Sequence, residues 1–567
     1  MNQVIFLILR RMRAPLVVLI IAYALSVLGM VLIPGSDPEG NPWRMDFFHA
    51  LYFVSYMATT IGFGEIPYEF TTAQRMWTVV AIYLTVIAWL YAIGKILSLI
   101  QDPAFKQAVV EQAFARGIRH MVEPFYIVCG YGDTGSLLVK AMTQRNMRTV
   151  VVDIDPERIT ALEMADLAIY VPGVCADAGI SFTLKEAGLL HKNCVGVVAL
   201  TDDEHVNLKV AITTKLLHPG IKVICRAERH DAEANMASFG TDRVINPYDT
   251  FANRLALALH SPGTHLLYEW LTGVPETPLP APLYPPHGTW VLCGYGRFGK
   301  AVKANLDKEG VETVIVEADP EGTGCSNFCV VGRGTEAGTL KTAGIESAAG
   351  IVAGTDNDAN NLSIIMTAGE LNPDLFMVAR QNKRDNHDIF QAALLDLVMQ
   401  RSEIIARDIF AMLTTPLLDD FLKLIQRQTN EWANEQISRL SAVIGEVVPD
   451  IWYCAIDEEH APAVYETLQE GEKVMLDDLM RDSRERKDYL PCLPLLLLKK
   501  GGEELLFPNG EEYLQAGDRL LFGGKALAYR RMKWTLYNRN VLHYSRTGEE
   551  RATGYLWQAL RRAKSGS

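Results

Sequence analysis

The chain has 567 residues, a formal net charge of −13 and a pI of about 5.5. At roughly 100–200 residues per domain, that length calls for three or four units. The acidic balance argues against a nucleic-acid partner, whose phosphates need concentrated Lys and Arg. The nine cysteines (129, 175, 194, 225, 293, 325, 329, 454 and 492) all follow the apolar N-terminal region, are odd in number and show no zinc-type pairing. A reducing compartment fits that part of the chain. Cys325 and Cys329 form a C-x3-C pair without a second pair nearby, too little for a structural metal site.

In chain order, Leu16 to Ile33 is an uncharged apolar run of 18 residues, just long enough to cross hydrocarbon as a helix. Arg10, Arg11 and Arg13 precede it; by the positive-inside rule they place the N-terminus in the cytoplasm and the acidic loop 35–42 outside. The run exceeds the apolar region of a cleaved signal peptide and lacks a small-residue cleavage site. A short helix is expected over 45–57. The second span, Met76 to Ile100, is apolar apart from Thr78, Thr85, Gly94, Lys95 and Ser98. Two spans return the chain to the cytoplasm, so everything after about Gln101 is expected there.

Between the short helix and the second span lies Thr59-Thr60-Ile61-Gly62-Phe63-Gly64-Glu65. Gly62 and Gly64 can take φ values that other L-residues avoid, so successive carbonyls can face one axis and replace the water shell of a dehydrated cation. The peptide Thr60-Ile61-Gly62-Phe63-Gly64 resembles the potassium-channel selectivity filter T-V-G-Y-G, with Ile61 for Val, Phe63 for Tyr and Glu65 where Asp usually follows. The resemblance implies K+ as the permeant ion, with the carbonyls of Thr60, Ile61, Gly62 and Phe63 and the Thr60 hydroxyl as ligands, and Glu65 at the outer mouth. It also implies a homotetramer in a lipid bilayer, because one chain supplies a quarter of the ring. Gly94 stands where inner helices of such channels often bend, or where helices pack closely. Leu97, at helical spacing from Ile93 and Ile100, is expected either to narrow the pore as an apolar constriction or to face lipid.

From Phe125 the pattern changes to short strands alternating with helices, and it occurs twice. Phe125–Cys129 leads into Gly130-Tyr131-Gly132-Asp133-Thr134-Gly135, and Thr289–Cys293 leads into Gly294-Tyr295-Gly296-Arg297-Phe298-Gly299. Gly130 recurs as Gly294, and Asp153 as Glu317, each 164 residues on. Thr201 recurs as Thr355, and Arg226 as Arg380, each 154 residues on. This is an internal duplication with a ten-residue slip. Each Gly-rich turn follows a strand, opens a helix and has an acid about 20 residues on, which is the dinucleotide-binding context. The turn glycines, with Asp133, Thr134, Arg297 and Phe298 beside them, are expected to receive a pyrophosphate, and Asp153 or Glu317 a ribose; the acids favour NAD, ADP or ATP over NADP.

The duplicated unit resembles the RCK domain, also called KTN or TrkA-N, over about 125–259 and 289–410, and 491–524 resembles its C-terminal lobe. The expected fold is a membrane α-helical pore domain of two spans plus a pore helix, then α/β: two Rossmann-like RCK domains and a β-rich C-terminal lobe. The boundaries are 1–100 pore, 101–124 connector, 125–274 first RCK domain, 275–288 Pro-rich linker, 289–430 second RCK lobe with crossover helices, and 431–567 C-terminal lobe and tail. The whole resembles an RCK-gated two-span prokaryotic potassium channel of the cell's inner membrane, regulated by a nucleotide. Asp202, Asp203 and Glu228, with Glu204, Asp356 and Asp358 nearby, offer hard oxygens for calcium, or complement helix dipoles. Arg226 and Arg380 stand where some family members have acids, and face either a phosphate or those carboxylates. Two other readings are a membrane-anchored NAD-linked oxidoreductase, which leaves the filter unexplained, and a regulatory subunit of a potassium transporter, which needs no filter of its own.

Overall fold

The computed structural model describes residues 2–273, 275 and 277–550. Two units emerge, one formed by 1–122 with 186–188, the other by the rest of the chain. Positions 551–567 of the expected tail, and 274 and 276 at the edge of the linker, lie outside the described residues.

In the first unit the outer helix runs Asn2–Leu32 and the inner helix Thr72–Gln101. Their spanning segments, Arg10–Leu32 and Thr72–Gln101, have mean hydropathies of 2.6 and 2.0. The inner helix starts before Met76 because Thr71 and Gln74 form a reciprocal capping box, with Thr71 N donating to Gln74 Oε1 at 3.1 Å. Its 30 residues rise about 45 Å, more than the hydrocarbon thickness. The two spans touch through small-against-large packing. A Cβ on Gly29 would meet the Trp77 ring at 2.0 Å, and Trp77 Nε1 donates to Ser26 O at 3.1 Å. The pore helix is Phe47–Ala58, opened by Asp46, whose carboxylate accepts from His49 N at 2.8 Å. A connector helix, Pro103–Arg119, follows the inner helix.

The second unit holds two six-stranded parallel sheets of identical topology. In each, the strands taken in their own sequence order lie 3-2-1-4-5-6, the doubly wound arrangement whose crevice opens beyond the carboxyl ends of strands 1 and 4. The first sheet begins with Phe125–Cys129, flanked by Arg148–Asp153 and Cys194–Ala199; the second begins with Trp290–Cys293, flanked by Thr313–Glu317 and Gly350–Ala353. A third, antiparallel sheet of four strands extends from Asp450–Ala455 to Arg519–Gly524. The sheet of the C-terminal lobe starts about forty residues before the stretch 491–524, inside the expected 431–567, because Asp450–Ala455 pairs along the whole of its last strand.

Each Rossmann-like copy is completed by a helix of the other. The helix Pro247–His260, which follows the first sheet, buries Tyr248, Phe251, Leu255 and Leu259 among Trp290, Leu292, Phe298 and Val302 of the second copy. The helix Arg401–Thr414, which follows the second sheet, buries Ile405, Ile409 and Leu413 among Leu138, Val139 and Met142 of the first. The expected boundaries near 274 and 289 therefore cut the sequence but not the packing. Nor does the Pro-rich linker hang free: Leu279 N donates to Glu446 O at 3.0 Å, and Val448 N to Thr277 O at 2.8 Å.

Where the exchanged helices meet, charges are buried. Arg254 reaches Glu269 at 3.2 Å and also Asp408, while Arg407 reaches the other Glu269 oxygen at 3.0 Å. Removing one partner strands the rest in low dielectric. Arg254→Ala is expected to destabilise the detergent-solubilised chain by about 3–5 kcal/mol, read as a lowered thermal midpoint. Lys303→Ala, which breaks an exposed i,i+4 pair with Asp307, is expected to change it by less than about 0.5 kcal/mol.

Candidate functional site

Between the two spans, the backbone of the filter stretch carries positive φ at Thr60 (64°), Gly62 (71°) and Gly64 (97°). Added Cβ atoms at Gly62 and Gly64 would meet no atom within 4 Å, so the glycines answer to backbone conformation rather than to crowding. The loop is braced from behind. Tyr56 of the pore helix donates its hydroxyl to Gly64 O at 2.5 Å and lies edge-on to Phe63 at 5.3 Å. Ile61 N donates to Tyr56 O at 2.9 Å. Glu65 is held by its own chain. Arg75 Nε and Nη2 grip its two oxygens at 2.8 and 3.0 Å, and Phe70 N donates to one of them at 2.8 Å. Tyr56 and Arg75 escaped the sequence reading because each lies on a helix, away from the motif it supports.

On the inner helix, an added Cβ at Gly94 would meet nothing within 4 Å, so no close packing within this chain requires that glycine. Ile93, Leu97 and Ile100 are all exposed on the chain.

The two Gly-rich turns have the same internal geometry. Gly130 (φ 103°) and Gly294 (φ 96°) turn the chain from strand to helix. A Cβ on Gly135 would lie 2.0 Å from Gly130 O, and one on Gly299 2.1 Å from Gly294 O, so only glycine lets each helix approach its turn so closely. Asp153 accepts from Tyr131 N at 2.5 Å and from Asp155 N at 2.8 Å. Glu317 accepts from Tyr295 N at 2.6 Å and from Asp319 N at 2.9 Å. Both acids thus shape their turns through backbone amides, and Asp153 is only 4% exposed. Ribose recognition would fall to the carboxylate lone pairs left over.

The surroundings of the turns differ. Over the first lies Arg158: a Cβ on Gly132 would sit 3.4 Å from its guanidinium, which is 3.6 Å from Asp153 and 3.5 Å from Asp202. A cation at the N-terminus of the twelve-residue helix Asp133–Gln144 suits a diphosphate. The equivalent position in the second copy, 164 residues on, is Gly322. There the helix Pro156–Met164 shrinks to Pro320–Thr323, and eight of the ten residues of the slip are lost between the second and third strands. Around the second turn, Arg297 and Phe298 are directed into the junction between the copies. Arg297 reaches Glu228 at 3.0 Å, and Phe298 is fully buried against Phe251 and Tyr248. Gly296 has open space around an added Cβ. The residues present therefore fit a diphosphate better at the first turn than at the second.

Two of the carboxylates expected to attract calcium, Asp202 and Glu228, have arginines beside them. Glu228, with its side chain 9% exposed, is met by Arg226, by Arg401 at 2.7 Å and by Arg297 at 3.0 Å. Asp202 faces Arg226 at 3.1 Å, and Asp203 caps the helix Glu204–Leu217 by accepting from His205 N at 2.8 Å. Glu204 and Asp358 hold backbone amides of the turns after the fifth strands. Among the described residues, the cluster with three metal-type ligand atoms is His230, Glu233 and Asp249; none of the expected calcium ligands is in it. Cys325 and Cys329 do come together, their sulfurs 2.9 Å apart as free thiols. Arg380 pairs with no acid among the described residues; it lies over the Tyr248 ring at 5.1 Å and donates to its hydroxyl at 3.2 Å.

A further repeated pair joins the fourth and fifth strands of each sheet. Asn207 is fully buried, accepts from Thr201 N at 3.0 Å and donates to Thr201 O and Arg226 O. Asn361 does the same with Thr355 and Arg380. The 154-residue offset that relates the threonines and arginines also relates these asparagines, and was the signal that could have found them.

Burial pushes the Glu228 carboxyl up, but Arg226, Arg401 and Arg297 together outweigh it and hold the group below the usual 4.5. Because the folded value is the lower one, this contribution to stability is complete at neutral pH. It is lost as pH falls from 4.5 through the folded value. Glu228→Gln is expected to lower the thermal midpoint at pH 7, and the gap from the parent chain is expected to close on acidification below that range.

Comparison with known proteins agrees with this division. Residues 15–102 match the ion channel family, and residues 126–247 and 290–401 match the TrkA-N domain. The chain is 26% identical over 221 residues to probable potassium channel protein 2 of Methanocaldococcus jannaschii, covering 39% of this chain and 62% of that one. It is also 26% identical over 204 residues to potassium channel protein 1 of the same archaeon, covering 36% and 59%. The chain spans about three fifths of the length of these relatives. Among solved structures, the GsuK channel matches 94% of this chain and 99% of its own at 17% identity and a TM-score of 0.46. A GsuK channel bound to NAD matches 94% and 100% at 16% identity and 0.44. The chain thus joins a segment similar to the ion channel family to domains similar to TrkA-N. The TrkA-N match occurs twice in tandem, behind one ion-channel match.

Proposed function

We propose that this chain assembles as a homotetramer in the inner membrane, with both termini cytoplasmic, and conducts potassium through a pore controlled by an adenine nucleotide on its TrkA-N copies. The observation that carries the reading is the loop 60–64, with its positive-φ glycines and its bracing by Tyr56, joined in one chain to a Gly-rich turn that has Arg158 above it. Carbonyls of Thr60, Ile61, Gly62 and Phe63 replace the ion's hydration shell when four chains meet. The nucleotide, ADP, ATP or NAD, places its phosphates at the N-terminus of the helix Asp133–Gln144 beside Arg158. That helix also carries Leu138 and Met142, on which the other copy's helix Arg401–Thr414 rests. Binding therefore shifts the relation between the copies by the difference in its affinity for two arrangements. The connector 103–119 transmits the shift to the inner helix, where Gly94 bends and Leu97 narrows the pore. The arginines around Glu228 and Asp202 make calcium the weaker candidate of the regulatory ligands.

The test is potassium flux from liposomes holding only this protein, with ADP, NAD or calcium added. Barium-blocked flux that a nucleotide alters is the expected result. Absence of flux from folded tetramers would overturn the reading in favour of a transporter subunit, and NADH oxidation by the same protein would favour a reductase. Arg158→Ala is expected to weaken ADP binding about tenfold, roughly 1.4 kcal/mol, by calorimetry. Leu97→Asp is expected to raise single-channel open probability by wetting the constriction; unchanged gating would remove Leu97 from that role.

A further inference from the structure

A cavity of about 440 Å³ lies between the two copies, away from both Gly-rich turns. It is bounded by the helix Asp133–Gln144 of the first copy, the helix Arg401–Thr414 and the loop that follows the fifth strand of the second sheet. That volume is within the range of small-molecule sites, which favour domain junctions and the carboxyl ends of parallel strands. No residue of 130–135 or 294–299 lines it.

Its lining is divided. Leu137, Ala141, Ala406 and Phe410 make an apolar wall. Gln381, which ends the fifth strand and is 3% exposed, also lines the cavity. Its Nε2 donates to Lys383 O at 2.8 Å and Arg384 O at 3.3 Å, which fixes the orientation of the amide. Its buried Oε1 is left without a donor. Arg407 also lines the cavity; one end of its guanidinium holds Glu269 and Thr272, while its buried Nε has no acceptor. Two residues that each carry an unpaired buried polar atom thus line the same space.

The charge of the lining is strongly positive. Arg145 and Arg401 are already matched, by Asp450 at 2.7 Å and Glu228 at 2.7 Å. Lys383 and Arg384, both exposed, have no ion pair among the described residues, and Glu403 is the carboxylate that opposes them. His387 accepts from Gln400 through Nδ1 at 2.7 Å, leaving Nε2 to donate. The geometry points to a second ligand site, for a small phosphorylated aromatic molecule: ring on the apolar wall, phosphate toward Lys383 and Arg384, and a hydroxyl or amino group donating to Gln381 Oε1. Such a ligand touches both copies, so its binding is linked to their relative position.

The test uses the full chain in detergent with ADP saturating, so that the Gly-rich turns are occupied, and titrates pyridoxine 5′-phosphate against pyridoxine by calorimetry. The phosphate ester is expected to bind once per chain and pyridoxine at least tenfold more weakly. The double variant Lys383→Ala, Arg384→Ala is expected to weaken the ester at least tenfold. Ala141→Trp, which fills the cavity from the apolar side, is expected to abolish binding. Each variant must elute as the parent does and keep its ADP affinity. Equal binding of pyridoxine overturns the proposal. So do undiminished binding to Ala141→Trp, displacement of the ester by ADP, or an absence of ester binding to the parent chain.

Discussion

The mutual completion of the two Rossmann-like copies is the constraint on which the cytoplasmic unit depends. A doubly wound sheet must cover both faces, and here the cover for one face comes from the other copy. Phe251, Leu255 and Leu259 go to the second core, while Ile405, Ile409 and Leu413 go to the first. At about 1.5–3 kcal/mol for each large apolar side chain withdrawn from water, neither core is complete without its partner. Everything placed at the junction inherits that coupling. The buried Arg254, Glu269, Arg407 and Asp408 network, the arginines around Glu228 and the cavity beside Gln381 all lie where a shift of one copy against the other is felt.

A second theme is that the functional loops are shaped by hydrogen bonds from outside themselves. Gly62 and Gly64 permit the backbone of the proposed filter, but the Tyr56 hydroxyl and the Glu65–Arg75 pair hold it. In the Gly-rich turns, Gly130 and Gly294 permit the bend, while Asp153 and Glu317 hold the amides of Tyr131 and Tyr295. Glycine supplies freedom and a distant polar group removes it again. The chemistry of each loop is therefore that of a fixed set of dipoles rather than of a mobile segment.

What could be read from the sequence was whatever depends on local order. The two spans, the pore helix, the Gly-rich turns and the repeat follow from hydropathy, spacing and self-similarity, and the structure places them within a few residues. What could not be read depends on partners remote in sequence. A 3.6-residue apolar period shows that 247–260 and 401–414 bury one face, but not whose sheet receives it. Glu228 looks like an oxygen ligand until Arg297 and Arg401, 69 and 173 residues beyond it, arrive beside it. Arg158 was legible only by asking what stands at the equivalent place in the second copy, where Gly322 replaces it. Asp153 looked like a free ribose ligand because backbone donors leave no mark in a sequence.

The Arg297–Glu228 contact says something about how the duplication is kept in order. Position 297 corresponds to Asp133 in the first copy, and position 228 to Asn382 in the second. A first copy paired with another first copy would set Asp133 against Glu228, two like charges. A second copy paired with its own kind would set Arg297 against Asn382, with no ion pair at all. Only the mixed pair brings opposite charges together, so the two halves discriminate against self-association as well as favouring each other. The tether between them then raises the effective concentration of the correct partner above that of any chain in solution. Pairing within one chain becomes the default outcome of folding, independent of how dilute the protein is.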